Sequence, residues 1–285
     1  MKVALVTPWD NAWVPMFKEE VERLGHEFEL TTAPKNVDVV IHGWASGDSQ
    51  PVKGARNIMF LRRYELFDGG IAKVDWSGID HLVCVNTWIA GVVKRMFEQN
   101  DVKTPVSVIY NAAEDKRWSF KVRKPNKRIG MACHIHPKKN LPLALQVLGE
   151  LPEDYELHIA GAVQDPCTAE YLNHLGKRMR RKVYLYGHIK QLNEWWDLMG
   201  FCLSTSLSEG NPNNVIEAMA KGIKPVVHRW PGAEDQFPQE FLFSTAKGAA
   251  EIIQSEGYDS IVYKQWVDLH YGQRNIAKVV KLALG

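Results

Sequence analysis

At 285 residues the chain has length for two domains, and with 45% hydrophobic and 24% charged residues it has the composition of an ordinary globular protein. A formal net charge of +2 excludes polyanion binding driven by overall charge, so any basic effect has to be local. No apolar run reaches membrane-spanning length, and the opening Met-Lys-Val-Ala-Leu-Val-Thr-Pro-Trp-Asp turns polar too early for a signal peptide. Cys84, Cys133, Cys167 and Cys202 form no Cys-x-x-Cys pair. Buried free thiols in a reducing, cytoplasmic compartment are therefore expected.

Residues 2 to 6 read as a strand and Val14 to Leu24 as a helix closed by Gly25. Phe28 to Thr31 and Val37 to His42 read as further strands, which makes a βαβ opening. The first turn, Pro8-Trp-Asp-Asn-Ala-Trp, lacks Gly-x-Gly-x-x-Gly, so a dinucleotide fingerprint is absent. Its Asp10, Trp9 and Trp13 suit a ligand platform as well as they suit packing over the sheet. His42 ends its strand, where a structural histidine and one that reaches a ligand are both open readings. Asn57 onward is a strand that ends in Arg62, Arg63 and Glu65, residues that fit a surface ion pair or a ligand contact. Ile79 to Asn86 is a strand, Trp88 to Gln99 a helix, and Pro105 opens another strand. Residues 119 to 128, basic and Pro-containing, read as an inter-domain linker with solvated charges.

The second half opens with a strand from Arg128 into His134-Ile-His-Pro-Lys-Lys-Asn140. His134 and His136 have no third ligand in a recognisable pattern, so no metal is expected. Helices are expected from Pro142 to Leu151, Tyr171 to Arg181, Asn193 to Met199, Ala246 to Ser255 and Tyr271 to Leu284. Strands are expected at 155–161 and 183–189. The cationic run from Lys177 to Lys182 reads as a solvated helix end supported by the dipole, or as a contact with anionic lipid or nucleic acid.

The most informative stretch is Ser208-Glu-Gly-Asn-Pro-Asn-Asn-Val-Ile-Glu-Ala-Met-Ala-Lys-Gly222, between apolar strands at Phe201 and Pro225. Asn211 suits an N-cap and Pro212 a first helical position. Val215, Ile216, Met219 and Ala220 share one face. Strand, loop, helix and strand form a βαβ unit whose loop lies at the carboxyl edge, where such sheets bind ligands. Glu209 precedes the helix and Glu217 lies in it, with Asn211 to Glu217 spanning roughly 9 Å of axis. Between them the positive helix end suits a phosphate, so a nucleotide sugar fits the layout.

Glu209 and Glu217 with seven residues between them, followed by Ala-Met-Ala-Lys-Gly and Pro-Val-Val, resemble the donor site of retaining glycosyltransferases of family four. The resemblance implies an α/β protein of the GT-B fold, two Rossmann-like β/α/β domains facing a central cleft. It divides the chain into an acceptor-side domain over 1–122, a nucleotide-sugar domain over 123–265, and a terminal helix over 266–285 that crosses back. It gives Glu209 to the donor sugar, Glu217 to the ribose hydroxyls, and Gly210, Asn211, Asn213, Asn214 and Val215 to the sugar and phosphates. Lys139 and Asn140 correspond to a phosphate-contacting lysine and the helix start after it, with His134 where the family has arginine. Gly130 and Gly161 belong to the same donor side, and Gly187, His188 and Ile189 to the base. The catalytic residues it implies are Glu209, Lys139 and His42, with Asp10, Arg62 and Arg63 on the acceptor side. The first turn lacks the family's glycine pair, and Asn111 and Glu114 stand near a Pro-Asn-Gly position.

The implied activity is metal-independent, retaining transfer of a hexose from a nucleotide-diphosphate sugar, such as a UDP or GDP sugar, with no further cofactor. The hydroxyl acceptor expected is a glycan, a lipid-linked glycan or a small molecule, with hydroxylated DNA bases as another. Placement is cytoplasmic, with peripheral contact at the inner membrane face. Alternatives are a nucleotide-sugar epimerase or hydrolase, and a silent nucleotide-sugar binder.

Overall fold

The computed structural model describes residues 1–7, 13–47, 49–113 and 117–285. The chain divides into two units, Met1–Glu114 with Tyr271–Gly285, and Asp115–His270. The first holds β1 (Lys2–Val6), α1 (Val14–Arg23), β2 (Glu27–Thr31), β3 (Val39–His42), β4 (Arg56–Leu61), α2 (Tyr64–Phe67), β5 (His81–Cys84), α3 (Thr87–Gln99) and β6 (Val106–Val108). All six strands are parallel, in the order β2-β1-β3-β4-β5-β6. Inner strands such as Val39-Val-Ile-His are buried along their whole length, as a parallel sheet covered on both faces requires. Edge strand β2 stays half wet, and its Glu29 pairs with Lys2 at 2.8 Å. Asn86 caps α3 by accepting from the Ile89 amide at 2.8 Å.

The second unit holds β7 (Arg128–Ala132), α4 (Leu141–Gly149), β8 (Glu156–Ala160), α5 (Pro166–Arg178), β9 (Lys182–Leu185), α6 (Leu192–Asp197), β10 (Phe201–Ser204), α7 (Asn213–Ala220), β11 (Lys224–His228), β12 (Leu242–Phe243), α8 (Ala246–Gln254) and, but for its last residue, α9 (Ser260–Tyr271). Its six parallel strands run β12-β11-β10-β7-β8-β9. The last helix, α10 (Arg274–Leu284), packs in the first unit against α1, β3 and β4, and buries Ile276, Val279, Val280 and Ala283 in that core.

Several local expectations change. Helix α5 starts at Pro166, because the Asp165 side chain accepts from the Thr168 amide and Pro166 occupies the first turn. Helix α9 was not foreseen, and the helix expected from Tyr271 begins at Arg274. The 119–128 segment is not freely solvated: Lys121 and Arg123 lie on Asp197 at 2.7 and 2.5 Å. Asp197 also holds the fully buried Lys221 at 2.8 Å. Nor is the cationic run wholly solvated, because Arg181 donates to the carbonyls of Leu148, Leu151 and Pro152 at the end of α4. Cys84, Cys133 and Cys202 are buried free thiols, and Cys167 is exposed. Among the described residues no helix is long and apolar enough to cross a membrane.

Candidate functional site

In the second sheet, β8 and β9 lie on one side of β7, and β10 to β12 on the other. The chain therefore reverses between β7 and β10, and a crevice is expected at their carboxyl ends. A cavity of about 430 Å³ lies there, walled by Ala132, Cys133 and His134 after β7, Ala160 and Gly161 after β8, and His188, Ile189 and Leu192 before and in α6. Lys139, Glu209, Asn211, Pro212, Asn213, Asn214 and Glu217 complete it.

Two loops fix the charged floor of this cavity. Pro137–Lys139 forms one turn of 3-10 helix that ends at Asn140 in the left-handed region, φ 48°. His136 Nδ1 accepts from the Lys138 amide within this turn, so its imidazole is committed to the loop. The turn is tied to the segment after β10 by Thr205 Oγ1 donating to the Lys139 carbonyl at 2.7 Å, and by the Leu207 amide donating to the Lys138 carbonyl at 3.0 Å. These ties bring Lys139 Nζ to 2.6 Å from Glu209 Oε1 and Lys138 Nζ to 3.3 Å from Oε2. Ser206 Oγ also donates to Oε1, at 2.7 Å. Glu209 is only 7% exposed. Burial alone would raise its pKa, but the two lysine charges and the hydrogen bonds from Lys139 and Ser206 outweigh it and hold the carboxyl below its ordinary value. The site therefore carries an ionised carboxylate with two cations on it.

Helix α7 begins one step later than its sequence suggests. Pro212 stands at the cap position and makes no side-chain cap bond, while Asn211 Nδ2 donates to Asn213 Oδ1 at 2.6 Å instead of capping the turn. The amides of Val215 and Ile216 donate to the Pro212 carbonyl, and that of Asn213 to the Asn211 carbonyl. Val215, expected at the ligand, is fully buried and does not line the cavity, and its amide donates to the Pro212 carbonyl. Asn211 Oδ1 is a buried acceptor with no partner among the described residues.

Gly130, Asn140, Gly187 and Gly210 do not line the cavity, whereas His134, Lys139, Gly161, His188, Ile189, Asn211, Asn213, Asn214, Glu209 and Glu217 all do. Gly130 packs under α6, where an added Cβ would lie 2.7 Å from Met199. Gly187 acts through its carbonyl, which accepts from the Gly161 amide at 2.7 Å. At Gly161 a Cβ would lie 2.0 Å from the Cys133 carbonyl oxygen, so only glycine lets β8 end beside β7. Gly161→Ala is expected to cost about 3 kcal/mol, a fall of roughly 6–12 °C in unfolding midpoint. A midpoint within 2 °C of the parent would show that the strand ends part without cost. Cys133, Ala132, Ala160, Leu192 and Pro212 are lining residues that sequence reading missed. Apart from Pro212, whose ring is visible in the motif, they are small or apolar residues at strand and helix ends and carry no chemical signature.

The first unit gathers a second polar group. His42 is 1% exposed and bonds Asn57 Oδ1 through Nε2 at 3.1 Å. Asn57 Nδ2 already donates to the Val52 and Ala55 carbonyls, so its oxygen is the acceptor and His42 Nε2 carries the proton. Burial lowers the imidazole pKa and keeps it neutral. His42, for which a catalytic contact is expected, is thus buried and bonded to Asn57 on the neighbouring strand β4. Arg62 lies between Trp13 and Trp44, and Arg63 stacks on Phe67 at 4.5 Å. Asp10 lies outside the described residues. Among the described residues no group of three His, Cys, Asp or Glu side chains is arranged to hold a metal ion.

Residues 126–255 match the family model described as glycosyl transferases group 1. No curated protein sequence matches the chain. Among solved structures, HepE of Anabaena in complex with UDP and glucose superposes with a TM-score of 0.73 at 12% identity, covering 100% of this chain and 99% of its own. A glycosyltransferase from Rickettsia africae gives 0.74 at 12% identity, covering 99% and 97%. Sucrose-phosphate synthase from Thermosynechococcus elongatus gives 0.72 at 13% identity, covering 99% and 98%. The two six-stranded parallel sheets and these superpositions establish the GT-B fold.

Proposed function

We propose that this chain, a GT-B protein whose second unit is a group 1 glycosyl transferase domain, moves a hexose from a uridine diphosphate sugar to the hydroxyl of a glycan or lipid-linked glycan, with retention at the anomeric carbon. The observation that carries the reading is the cavity at the β7/β10 reversal, in which Lys139 meets Glu209 beside the start of α7, with Lys138 on the same carboxylate and Glu217 on that helix. The base would rest on His188 and Ile189, the ribose hydroxyls on Glu217, and the diphosphate on Lys139 and the first turn of α7. Asn211 Oδ1, buried and without a partner among the described residues, suits a sugar hydroxyl as donor. The choice of uridine follows HepE, which was solved with UDP and with UDP-glucose.

In the chemical step the bond between the anomeric carbon and the diphosphate oxygen breaks, and the acceptor oxygen bonds to that carbon. Negative charge then grows on the diphosphate, where Lys139 stabilises it. Glu209, ionised and clasped by two lysines, is a poor proton acceptor. That supports attack from the face the diphosphate leaves, with a diphosphate oxygen taking the acceptor proton. The buried thiols suit a reducing compartment, the cytoplasm.

Thermal-shift and calorimetric titration with UDP and UDP-glucose tests the reading. UDP is expected to stabilise the parent by mass action. Glu217→Ala, which loses hydrogen bonds to a charged group of about 1.5–3 kcal/mol, is expected to weaken UDP about 10–100-fold. Absence of any UDP effect on the folded parent would refute the donor site, and donor consumption without an added acceptor would replace transfer by hydrolysis.

A further inference from the structure

The first sheet has its own reversal. Strand β2 lies on one side of β1, and β3 to β6 lie on the other. Ligands of open parallel sheets bind where the strand order reverses, here at the carboxyl ends of β1 and β3. Arg62, the residue after β4, reaches back toward this point: its Nε donates to the Gly43 carbonyl, just past β3, and its Nη1 to Asn111 Oδ1, both at 3.3 Å. The guanidinium carbon stands 4.9 Å from the Trp13 ring centroid and 5.0 Å from that of Trp44, with Phe60 at 5.8 Å.

Such walls are apolar and displace water. Burial pushes the guanidinium pKa down to about 10, with the Glu65 charge opposing, so the cation persists at neutral pH in a poorly solvated place. Its two hydrogen bonds among the described residues are long, and they use two of five N–H groups. Among the described residues no carboxylate lies within ion-pair distance of it. Glu65 is the nearby acid, but its Oε1 accepts the backbone amides of Ala45 and Arg62, at 3.3 and 3.4 Å, rather than the guanidinium. A purely structural side chain here would be served better by an apolar residue, because ring faces return less than the lost water. A guanidinium with free in-plane donors, flat hydrophobic walls and a half-open edge is instead the equipment for a forked bond to an oxyanion.

We propose that Arg62, walled by Trp13 and Trp44 at the strand-order reversal of the first sheet, binds an oxyanion, the carboxylate or phosphate of an acceptor molecule. That the oxyanion belongs to an acceptor rests on the transferase reading above, whereas binding of the anion does not. The acceptor class is thereby an acidic sugar or a phosphorylated carrier, and Trp13 and Trp44 offer stacking faces for its ring or chain.

Calorimetric titration of the full chain with inorganic phosphate and with methyl β-D-glucuronide separates the two sources, and methyl β-D-glucoside serves as the uncharged control. One of the two anions is expected to bind, and the glucoside to bind at least about tenfold more weakly. Arg62→Gln should weaken the anion at least about tenfold and leave UDP unchanged, while Lys139→Gln should weaken UDP and spare the anion. Arg62→Lys keeps charge and bulk but loses the fork, and should weaken the anion severalfold at an unfolding midpoint near the parent's. Should Arg62→Gln fail to fold, Arg62→Lys decides, and parental anion affinity in that protein overturns the proposal. So does binding of neither anion, or anion binding abolished by Lys139→Gln and indifferent to Arg62. Arg62-dependent anion binding in a chain that ignores UDP would sink the transferase reading and leave this site standing.

Discussion

A Glu209→Gln protein is expected to bind UDP at least as tightly as its parent while transferring sugar about 10²–10³-fold more slowly. Glu209 neutralises Lys139 and Lys138, at 2.6 and 3.3 Å. On the proposed function, an incoming diphosphate has to share those cations with the carboxylate. The amide isostere keeps the volume and an oxygen acceptor for Ser206, but it removes the competing charge, so Lys139 turns to the diphosphate without opposition. What the protein loses, on the proposed function, is the ionised group that orients the donor sugar. Calorimetry for UDP and steady-state turnover with UDP-glucose check the two halves separately. Turnover within tenfold of the parent, or UDP affinity that falls in step with turnover, would show that Glu209 serves only to hold the lysines.

The largest loss of stability is expected from Asp197→Ala. Asp197 accepts from Lys121, Arg123 and Lys221 together, and the Lys221 side chain is wholly shielded from water. Lys221 is also held by Ser119 Oγ at 3.0 Å and by Asn193 Oδ1. Removing the one anion strands a buried cation, which costs about 3–5 kcal/mol. Lys221→Met, which leaves Asp197 with two cations and fills the space, is expected to cost far less. Acid should reproduce the aspartate loss in the parent. Burial opposes ionisation of Asp197, but the hydrogen bonds from its three cations outweigh it and hold its pKa well below the usual carboxylate range. The unfolded chain then binds the extra proton first, so stability is complete above about pH 4 and falls as pH drops below it. Glu209, also depressed, adds in the same direction. Urea midpoints between pH 7 and pH 3 should decline more steeply for the parent than for Asp197→Ala. Parallel declines would mean that Asp197 contributes nothing through its charge.

The loop from Glu209 to Glu217 was legible in the sequence as a cavity-lining element because its residues are close in the chain and chemically distinctive. Glu209, Asn211, Glu217 and Lys139 all reach one cavity. What it concealed depends on partners remote in sequence. Nothing in Lys121 or Arg123 announces Asp197, so a basic, Pro-containing stretch reads as a solvated linker when it is an anchored one. Helix α9 was hidden by its outer face: Ser260, Tyr263, Val267 and Tyr271 form a helical stripe that is buried, but the exposed Ile261, Val262 and Leu269 blur the period. The start of α5, by contrast, was readable in Asp165-Pro166 and Thr168 as a cap with proline in the first turn. Asn211 shows the opposite error, a good capping residue used for a side-chain bond to Asn213.

The return of α10 to the first unit has a consequence for synthesis on the ribosome. Val279, Val280, Ile276 and Ala283 complete a core whose other members lie before residue 98. All of Asp115–His270 is made in between, roughly 8–30 s at 5–20 residues per second. During that interval the nascent first sheet displays the apolar side of β3 and β4 that α10 will cover, while the second unit closes on contiguous chain. The domain begun first is therefore the one finished last, and for that interval its bare sheet face is the part of the molecule most in need of a chaperone.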